Sequence, residues 1–375
     1  MPQEKRPPRR HAPSWHLRRL ATSKDARAAT TALQLSAQLS ISSARLSIII
    51  KALNEERHIE RAIVSALAAV EEIGGNGEVI LADSLSTDGT LAIASRFAIR
   101  VVQLTQPEDR SCGIGAQLGM LVADGDFLYV LDGDMALLPG FMPRALEALE
   151  ADARLAGVAG LVEDKVIANY AFKMRVARKE TAVPNASPIC LNMGGLYRRR
   201  AIEQIGYFTN RNLHSFEEFE LGARLRQAGW HLRRLDCPAV LHYGPAESST
   251  SLMLRRWRTR YACGHGELFR QALGEPHFAL VATRLSVFRV QAFTVVTWLV
   301  LSIIAAAALG PAGAVVLVVG GWLSIAALLG VKKRSISQAA YSIMAWHIGV
   351  AAFVRGLFIK PRHRPDAPIA HRLVQ

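Results

Sequence analysis

Short apolar runs recur through the first part of the chain, each closing on a polar stretch and followed by apolar positions at helical spacing. Leu46-Ser-Ile-Ile-Ile50 runs into Lys51-Ala-Leu53-Asn54-Glu55-Glu56, and Ile59, Ile63, Ala66, Leu67 and Val70 then share one helical face. Glu78 to Ala82 ends in Asp83-Ser-Leu-Ser-Thr-Asp88-Gly89-Thr90, where Ser, Thr and Asp suit the cap of a helix starting near Thr90. Ile99 to Leu104 precedes the Gly-bearing stretch Arg110 to Gly119, which continues as a helix. The strand Leu128-Tyr-Val-Leu-Asp132 follows, and Pro139-Gly140 marks a turn beyond it. Strands alternating with helices predict an α/β domain with a mixed, mostly parallel sheet, whose ligands sit at the carboxyl ends of the strands. Asn54, Asp83 and Asp132 fall there.

The pattern changes late in the chain. Val290 to Leu309 carries no charge, and neither does Ala312 to Val331; each is long enough to cross a hydrocarbon core of roughly 30 Å. Gly310-Pro-Ala between them predicts a transmembrane hairpin over 290–331. Lys332-Lys-Arg334 puts its closing end in the cytoplasm by the positive-inside rule. A third apolar segment, 335–359, contains His347 and Arg355 and ends in Lys360-Pro-Arg-His-Arg364. It reads as interfacial or as a third span, the latter placing those cations on the far side against the charge bias. Residues 263–289 form an interfacial helical linker, and 360–375 a basic tail.

Charge agrees with a membrane setting. The chain of 375 residues has a formal net charge of +14. Residues 1–45 hold nine Lys or Arg against Glu4 and Asp25, with Pro at 7, 8 and 13. That is a flexible basic tail suited to anionic membrane lipids. Leu254-Arg-Arg256-Trp257-Arg-Thr-Arg-Tyr261 adds an interfacial helix with four arginines and two aromatic residues for the headgroup level. Nucleic acid is rejected as a partner because the charge flanks membrane segments and forms no recognition module. The cysteines at 112, 190, 237 and 263 lack Cys-x-x-Cys spacing and suit a reducing compartment. A Walker loop and a Gly-x-Gly-x-x-Gly turn are both missing, which removes the P-loop and dinucleotide readings.

Asp132-Gly133-Asp134 carries the most chemistry. Side chains two apart on a strand leave the same face, so both carboxylates can converge on one divalent cation or one sugar diphosphate. Taken alone, an Asp-x-Asp after a strand is an ordinary turn. With Ile50 to Glu55, Asp83 to Thr90, Met193-Gly194-Gly195-Leu-Tyr197, Ile205 to Phe208, and Phe216-Glu217-Glu218-Phe-Glu220-Leu221 leading to Arg224-Leu225 and Gly229-Trp230, the chain over 46–262 resembles the family 2 glycosyltransferases of the GT-A fold.

That resemblance implies a metal-dependent, inverting transfer from a nucleotide-sugar donor, with Mg2+ or Mn2+ as cofactor. It makes Asp134 a metal ligand, with His242 of Val240-Leu-His242-Tyr-Gly244 as a second, although a lone His is more often structural. Asp132 is expected on a ribose hydroxyl or a metal-bound water, and Asp83 on the base edge. Leu53, Asn54, Glu55, Asp88, Gly194, Gly195, Arg256 and Trp257 are expected to line the substrates. Glu218 is the expected general base, with Glu217 in reserve; acids in a first helical turn also serve simply to complement the dipole.

Departures shape the expectation. Lys51 stands where the family has Pro, Ala116-Gln117 where many members have Arg-Asn, and Glu218 where Asp is commoner. Met253-Leu-Arg-Arg256-Trp257 lacks the Gln of processive members, which favours addition of one sugar. The reading is a multi-pass inner-membrane enzyme with a cytoplasmic catalytic domain and a lipid-linked or membrane-proximal acceptor. Its alternatives are a polyprenyl-phosphate glycosyltransferase and a non-catalytic nucleotide-sugar-binding protein.

Overall fold

The computed structural model describes residues 45–177, 183, 188–285, 287–308 and 310–375. The expected basic tail over 1–45 lies outside them apart from Arg45. The predicted alternation is present: β1 (Leu46–Ala52), α1 (Ile59–Glu72), β2 (Gly77–Asp83), α2 (Thr90–Ala94), β3 (Arg100–Leu104), α3 (Cys112–Met120) and β4 (Phe127–Asp132). Then come β5 (Met135–Leu137), α4 (Phe141–Ala151), β6 (Leu155–Asp164), α5 (Tyr170–Ala177), β7 (Gly195–Arg198), α6 (Arg199–Gln204), α7 (Glu217–Gln227) and β8 (His231–His242).

One mixed sheet gathers these strands in the order β5-β8-β6-β7-β4-β1-β2-β3, with a ninth strand beyond β3. β1 is central because it is apolar on both faces. Ile48 and Ile50 pack with Ile59, Ile63 and Val70 of α1, whereas Ile49 packs with Ile114 and Leu118 of α3. Side chains on a strand alternate between faces, so only a strand apolar at successive positions can sit between two helical layers. β2 and β4 flank β1 in parallel, with Ala52 opposite Asp83 and Lys51 opposite Asp132.

After β8 the chain becomes helical: α8 (Ser249–Arg258), α9 (Gly264–Ala272), α10 (Phe278–Arg284), α11 (Val287–Ala308), α12 (Pro311–Lys333) and α13 (Ile336–Phe358). The linker over 263–289 is helical, but α11 begins at Val287 rather than at 290. Among the described residues three helical stretches are long and apolar enough to cross a membrane, Phe288–Ala307, Ala312–Lys333 and Ile336–Phe358. α13 contacts the rest of the chain along its length. Tyr341 meets Tyr170 edge-on, Arg355 donates to the Trp257 carbonyl at 2.9 Å, and Gly356 lies so close to α9 that a Cβ there would meet the Cys263 carbonyl at 2.3 Å.

The expected basic tail, 360–375, differs from its sequence reading. His371–Leu373 form β9, antiparallel to β3 at the edge of the catalytic sheet. Three residues with Arg at the centre carry no apolar alternation, so nothing in their pattern announces a strand; a short, charged strand is nonetheless a common way to finish a sheet edge.

Candidate active site

The site forms where β1, β2 and β4 end side by side, on the edge at which ligands of parallel sheets bind. Two loops build its near wall by lacing together. Asn54 takes a left-handed φ of 61° and accepts from the Thr87 N–H at 2.8 Å, while its own N–H donates to Ser86 Oγ at 2.9 Å. The Glu55 and Glu56 N–H groups donate to Thr90 Oγ1 at 2.8 Å and Asp88 Oδ2 at 3.1 Å. Asn54 and Asp88 therefore spend their side-chain oxygens on holding the loops, whereas Leu53 is exposed at the rim. Asp83 is fully buried, and its Oδ1 has no hydrogen-bond partner among the described residues.

Lys51 joins the strand ends to α7. Its Nζ lies 2.8 Å from Asp132 Oδ1 and 3.6 Å from Glu217 Oε1. The stem passes over Gly115 of α3, where a Cβ would meet Lys51 Cγ at 2.8 Å, so the glycine makes the crossing possible. Burial alone would lower the Lys51 pKa, but Asp132, Glu217 and Glu218 outweigh it and hold the ammonium charged well above its ordinary range. Glu218 sits half-buried in the same group. Burial pushes its carboxyl up to about 7 against the pull of Lys51, with Glu217 and Asp132 adding to the rise. A carboxyl titrating there is suited to take a proton near neutrality. Glu220, two residues on, is instead locked to Arg224 at 2.7 and 2.8 Å and is structural.

The far wall comes from the antiparallel pair β5 and β8, which sets Met135 opposite His242. His242 Nε2 lies 3.4 Å from Asp134 Oδ2, and its Nδ1 lies 2.7 Å from Asp164 Oδ1. Arg175 of α5 closes on Asp164. Burial disfavours the charged imidazole, but the two carboxylates raise it to about 9. Glu55 is raised to about 8, by burial and then by Asp134 and Asp132. No group of three or more metal-ligating side chains is found among the described residues.

Asp134 and His242 nevertheless fit a divalent cation. An imidazole with its second nitrogen fixed by a carboxylate is a recurring metal-ligand arrangement, and Mg2+ or Mn2+ in nucleotide sites takes few protein ligands, the rest being phosphate oxygens and water. Asp132, held by Lys51, lies on the other side of Gly133.

Gly194, with φ of 96°, and Gly195 lead into β7 beside the buried Tyr129. Arg256 stacks on the exposed ring of Tyr261. Trp257 carries Arg355 over its ring. Sequence reasoning missed Asp164 and Arg175, because a carboxylate at the end of β6 and an arginine on a short helix belong to no motif. It noted Lys51 only as a departure. Gln117, another departure, accepts from the Phe208 N–H at 2.7 Å and supports the loop before α7. A cavity of about 880 Å3 beside α7, lined by Tyr207, Arg224 and His277, holds none of the site carboxylates and is not assigned to this chemistry.

Comparison with known proteins bears on the family and the fold. Residues 47–206 match the family "Glycosyl transferase family 2". The succinoglycan biosynthesis protein ExoA of Rhizobium meliloti is 28% identical over 222 residues, covering 53% of this chain and 63% of that protein, so the match spans less than two thirds of its length. An N-acetylglucosaminyl-diphospho-decaprenol L-rhamnosyltransferase of Mycobacterium tuberculosis is 27% identical over 225 residues, covering 50% of this chain and 72% of that one. The mannosyltransferase PcManGT of Pyrobaculum calidifontis, solved with GDP-Man and Mn2+, superposes with a TM-score of 0.56 at 18% identity, over 88% of this chain and 97% of its own. At that identity the likeness is one of fold.

Proposed function

Residues 47–206 of this chain are a family 2 glycosyltransferase domain of the GT-A fold, and from that premise we infer that the protein transfers one sugar from a nucleotide-sugar donor to a lipid-linked acceptor at the membrane. The observation that carries the reading is the convergence of Asp83, Asp132, the Asp134–His242 pair and Glu218 on one edge of the sheet. Asp83 offers an unpartnered oxygen to the base, and Asp132, beside Lys51, a carboxylate to the ribose. Asp134 and His242 would hold the cation, which when bound supplies charge neutralisation for the departing diphosphate. Glu218 stands across from them to draw a proton from an attacking hydroxyl, which corresponds to inversion at the anomeric carbon. Lys51 keeps Asp132 and Glu217 in place between the two.

The membrane part supports a lipid-linked acceptor, as does the lipid diphosphate in the name of the rhamnosyltransferase relative. α13 is best read as interfacial. A straight span would put its ends on opposite sides of a core of roughly 30 Å. Yet Lys333, just before it, bonds to Tyr170, and at its other end Arg355 donates to the Trp257 carbonyl and Ile359 accepts from Arg270. Both ends thus stay with the catalytic domain, on the side that Lys332 to Arg334 make cytoplasmic by the positive-inside rule.

The experiment is transfer of labelled sugar by the purified chain to two acceptors, a polyprenyl-diphosphate-linked sugar and a bare polyprenyl phosphate. Label on the first, abolished in a Glu217→Ala/Glu218→Ala double variant, is expected. Label on the second that survives the double variant would replace hydroxyl acceptance by attack from the lipid phosphate itself.

A further inference from the structure

Ala52, Asp83, Gln103 and Arg372 stand directly opposite one another across β1, β2, β3 and β9. Directly opposed residues share a face of the sheet, and the last three of this row are hydrogen-bonded in series. Arg372 donates from Nε at 3.0 Å and from Nη2 at 2.5 Å to Gln103 Oε1. With that oxygen engaged, the Gln103 amide turns its nitrogen to Asp83 and donates to Oδ2 at 2.7 Å. The Ser86 N–H donates to the same Oδ2 at 3.0 Å. Gln103 is 2% exposed and Asp83 fully buried. The result is a carboxylate with one oxygen accepting two hydrogen bonds and the other, Oδ1, buried and without a partner among the described residues.

A buried acceptor left without a partner is costly, and a donor brought by a ligand would offset that cost. The bonds that fix Asp83 reach across 269 positions of sequence, to a strand that follows all the membrane helices. That strand is well anchored. The Val101 and Thr105 N–H groups donate to the carbonyls of Gln375 and Ala370 at 2.9 and 3.1 Å, and the buried Arg211 donates to the carbonyls of Ala367 and Pro368 at 3.1 and 2.8 Å.

We propose that Gln103 and Arg372 are positioning residues of the donor site: together they fix the Asp83 carboxylate so that its unpartnered Oδ1 accepts an N–H of the nucleobase. The segment beyond the membrane helices is thereby part of the nucleotide pocket. This rests on the donor-site reading above. Arg372 touches no ligand; it sets the Gln103 amide, which sets Asp83.

The test is calorimetric titration of the full chain in detergent, with Mn2+ present, using UDP, GDP, dTDP and CDP, and inorganic pyrophosphate as a probe without a base. For the nucleotide that wild type binds best, Arg372→Ala and Gln103→Met should each weaken binding about 10-fold, the scale of one charge-assisted hydrogen bond, while pyrophosphate binds as before. In an Asp83→Ala background, Arg372→Ala should change nucleotide affinity less than about 2-fold, because its effect runs through Asp83. If Arg372→Ala does not fold, Gln103→Met carries the test, since it keeps the length of the side chain and removes only its polar end. Equal weakening of pyrophosphate and nucleotide would make the strand a structural prop and overturn the proposal. Unchanged nucleotide affinity in both variants would overturn it alone, whereas a wild type that binds none of the nucleotides would overturn the donor-site reading with it.

Discussion

Lys51 Nζ stands 2.8 Å from Asp132 Oδ1 and 3.6 Å from Glu217 Oε1, bridging the acidic end of β4 to the acidic start of α7. Two acidic elements that converge on one pocket repel each other, and this ammonium offsets that repulsion from within β1. Lys51→Met keeps the stem over Gly115 and removes the charge. We expect the acid limb of the pH–rate profile to move to higher pH, because Lys51, ahead of Arg234, pulls the Glu218 carboxyl down, and the nucleotide to bind more weakly. A profile that superposes on wild type would show that the bridge has no part in setting the base.

Glu218 gives the second expectation its sign. Its carboxyl is raised to about 7, and a base works only when deprotonated, so turnover should climb as pH rises through about 7 and level off above it. Glu218→Gln should abolish that limb and lower turnover roughly 10²-fold, the scale of a lost general base, with donor affinity near wild type. Steady-state rates between pH 5 and 9 check both. Should Glu217→Gln be the variant that loses the limb, the two roles exchange.

The Asp134–His242–Asp164 series predicts how a cation is held. Asp164 fixes His242 Nδ1 at 2.7 Å, so Asp164→Asn should weaken Mn2+ binding by roughly 10- to 100-fold, the usual cost of losing such a partner, without removing a ligand. Asp134→Ala should lose it almost entirely. Because His242 is raised to about 9, it is protonated at pH 7, and loading with Mn2+ should release a proton. Electron paramagnetic resonance of free Mn2+, with calorimetry in two buffers of different ionisation enthalpy, measures both quantities. Mn2+ affinity unchanged in Asp134→Ala would remove the pair as ligands.

Much of this was legible in the residues because it is local. The strand and helix periods set β1 to β4 and α1, and the strand-end positions of Asp83 and Asp132 follow from them. Cap and turn chemistry located Thr90 and Gly140. What escaped was long-range pairing. Asp164 reaches His242 only because β6 and β8 run side by side, and β9 finds β3 with three residues that have no apolar period. Lys51 looked like a lapse from a motif. Its meaning appears only when the sheet register sets it opposite Asp132. Asn54 and Asp88, expected on substrate, also turn side-chain oxygens to the backbone amides of the two loops, a role no motif announces.

Topology follows from the two ends of α13. In a background without the native cysteines, single cysteines near 150, 333 and 366 should resist a membrane-impermeant thiol reagent in sealed cells, whereas one at Pro311 should react. Labelling at 366 alone would make α13 a true span and would separate β9 from β3.

The central claim is that this chain moves sugar from a nucleotide donor. Its most direct test is to incubate the purified full chain in lipid nanodiscs with a panel of nucleotide sugars, Mn2+ and a polyprenyl-diphosphate-linked acceptor, following nucleoside diphosphate release and label in the lipid fraction together. The account predicts that one donor is consumed, with equal amounts of nucleotide released and sugar transferred, and that Asp132→Ala and Glu218→Gln each suppress both. Consumption of none of the donors, alongside no measurable nucleotide binding, would contradict it.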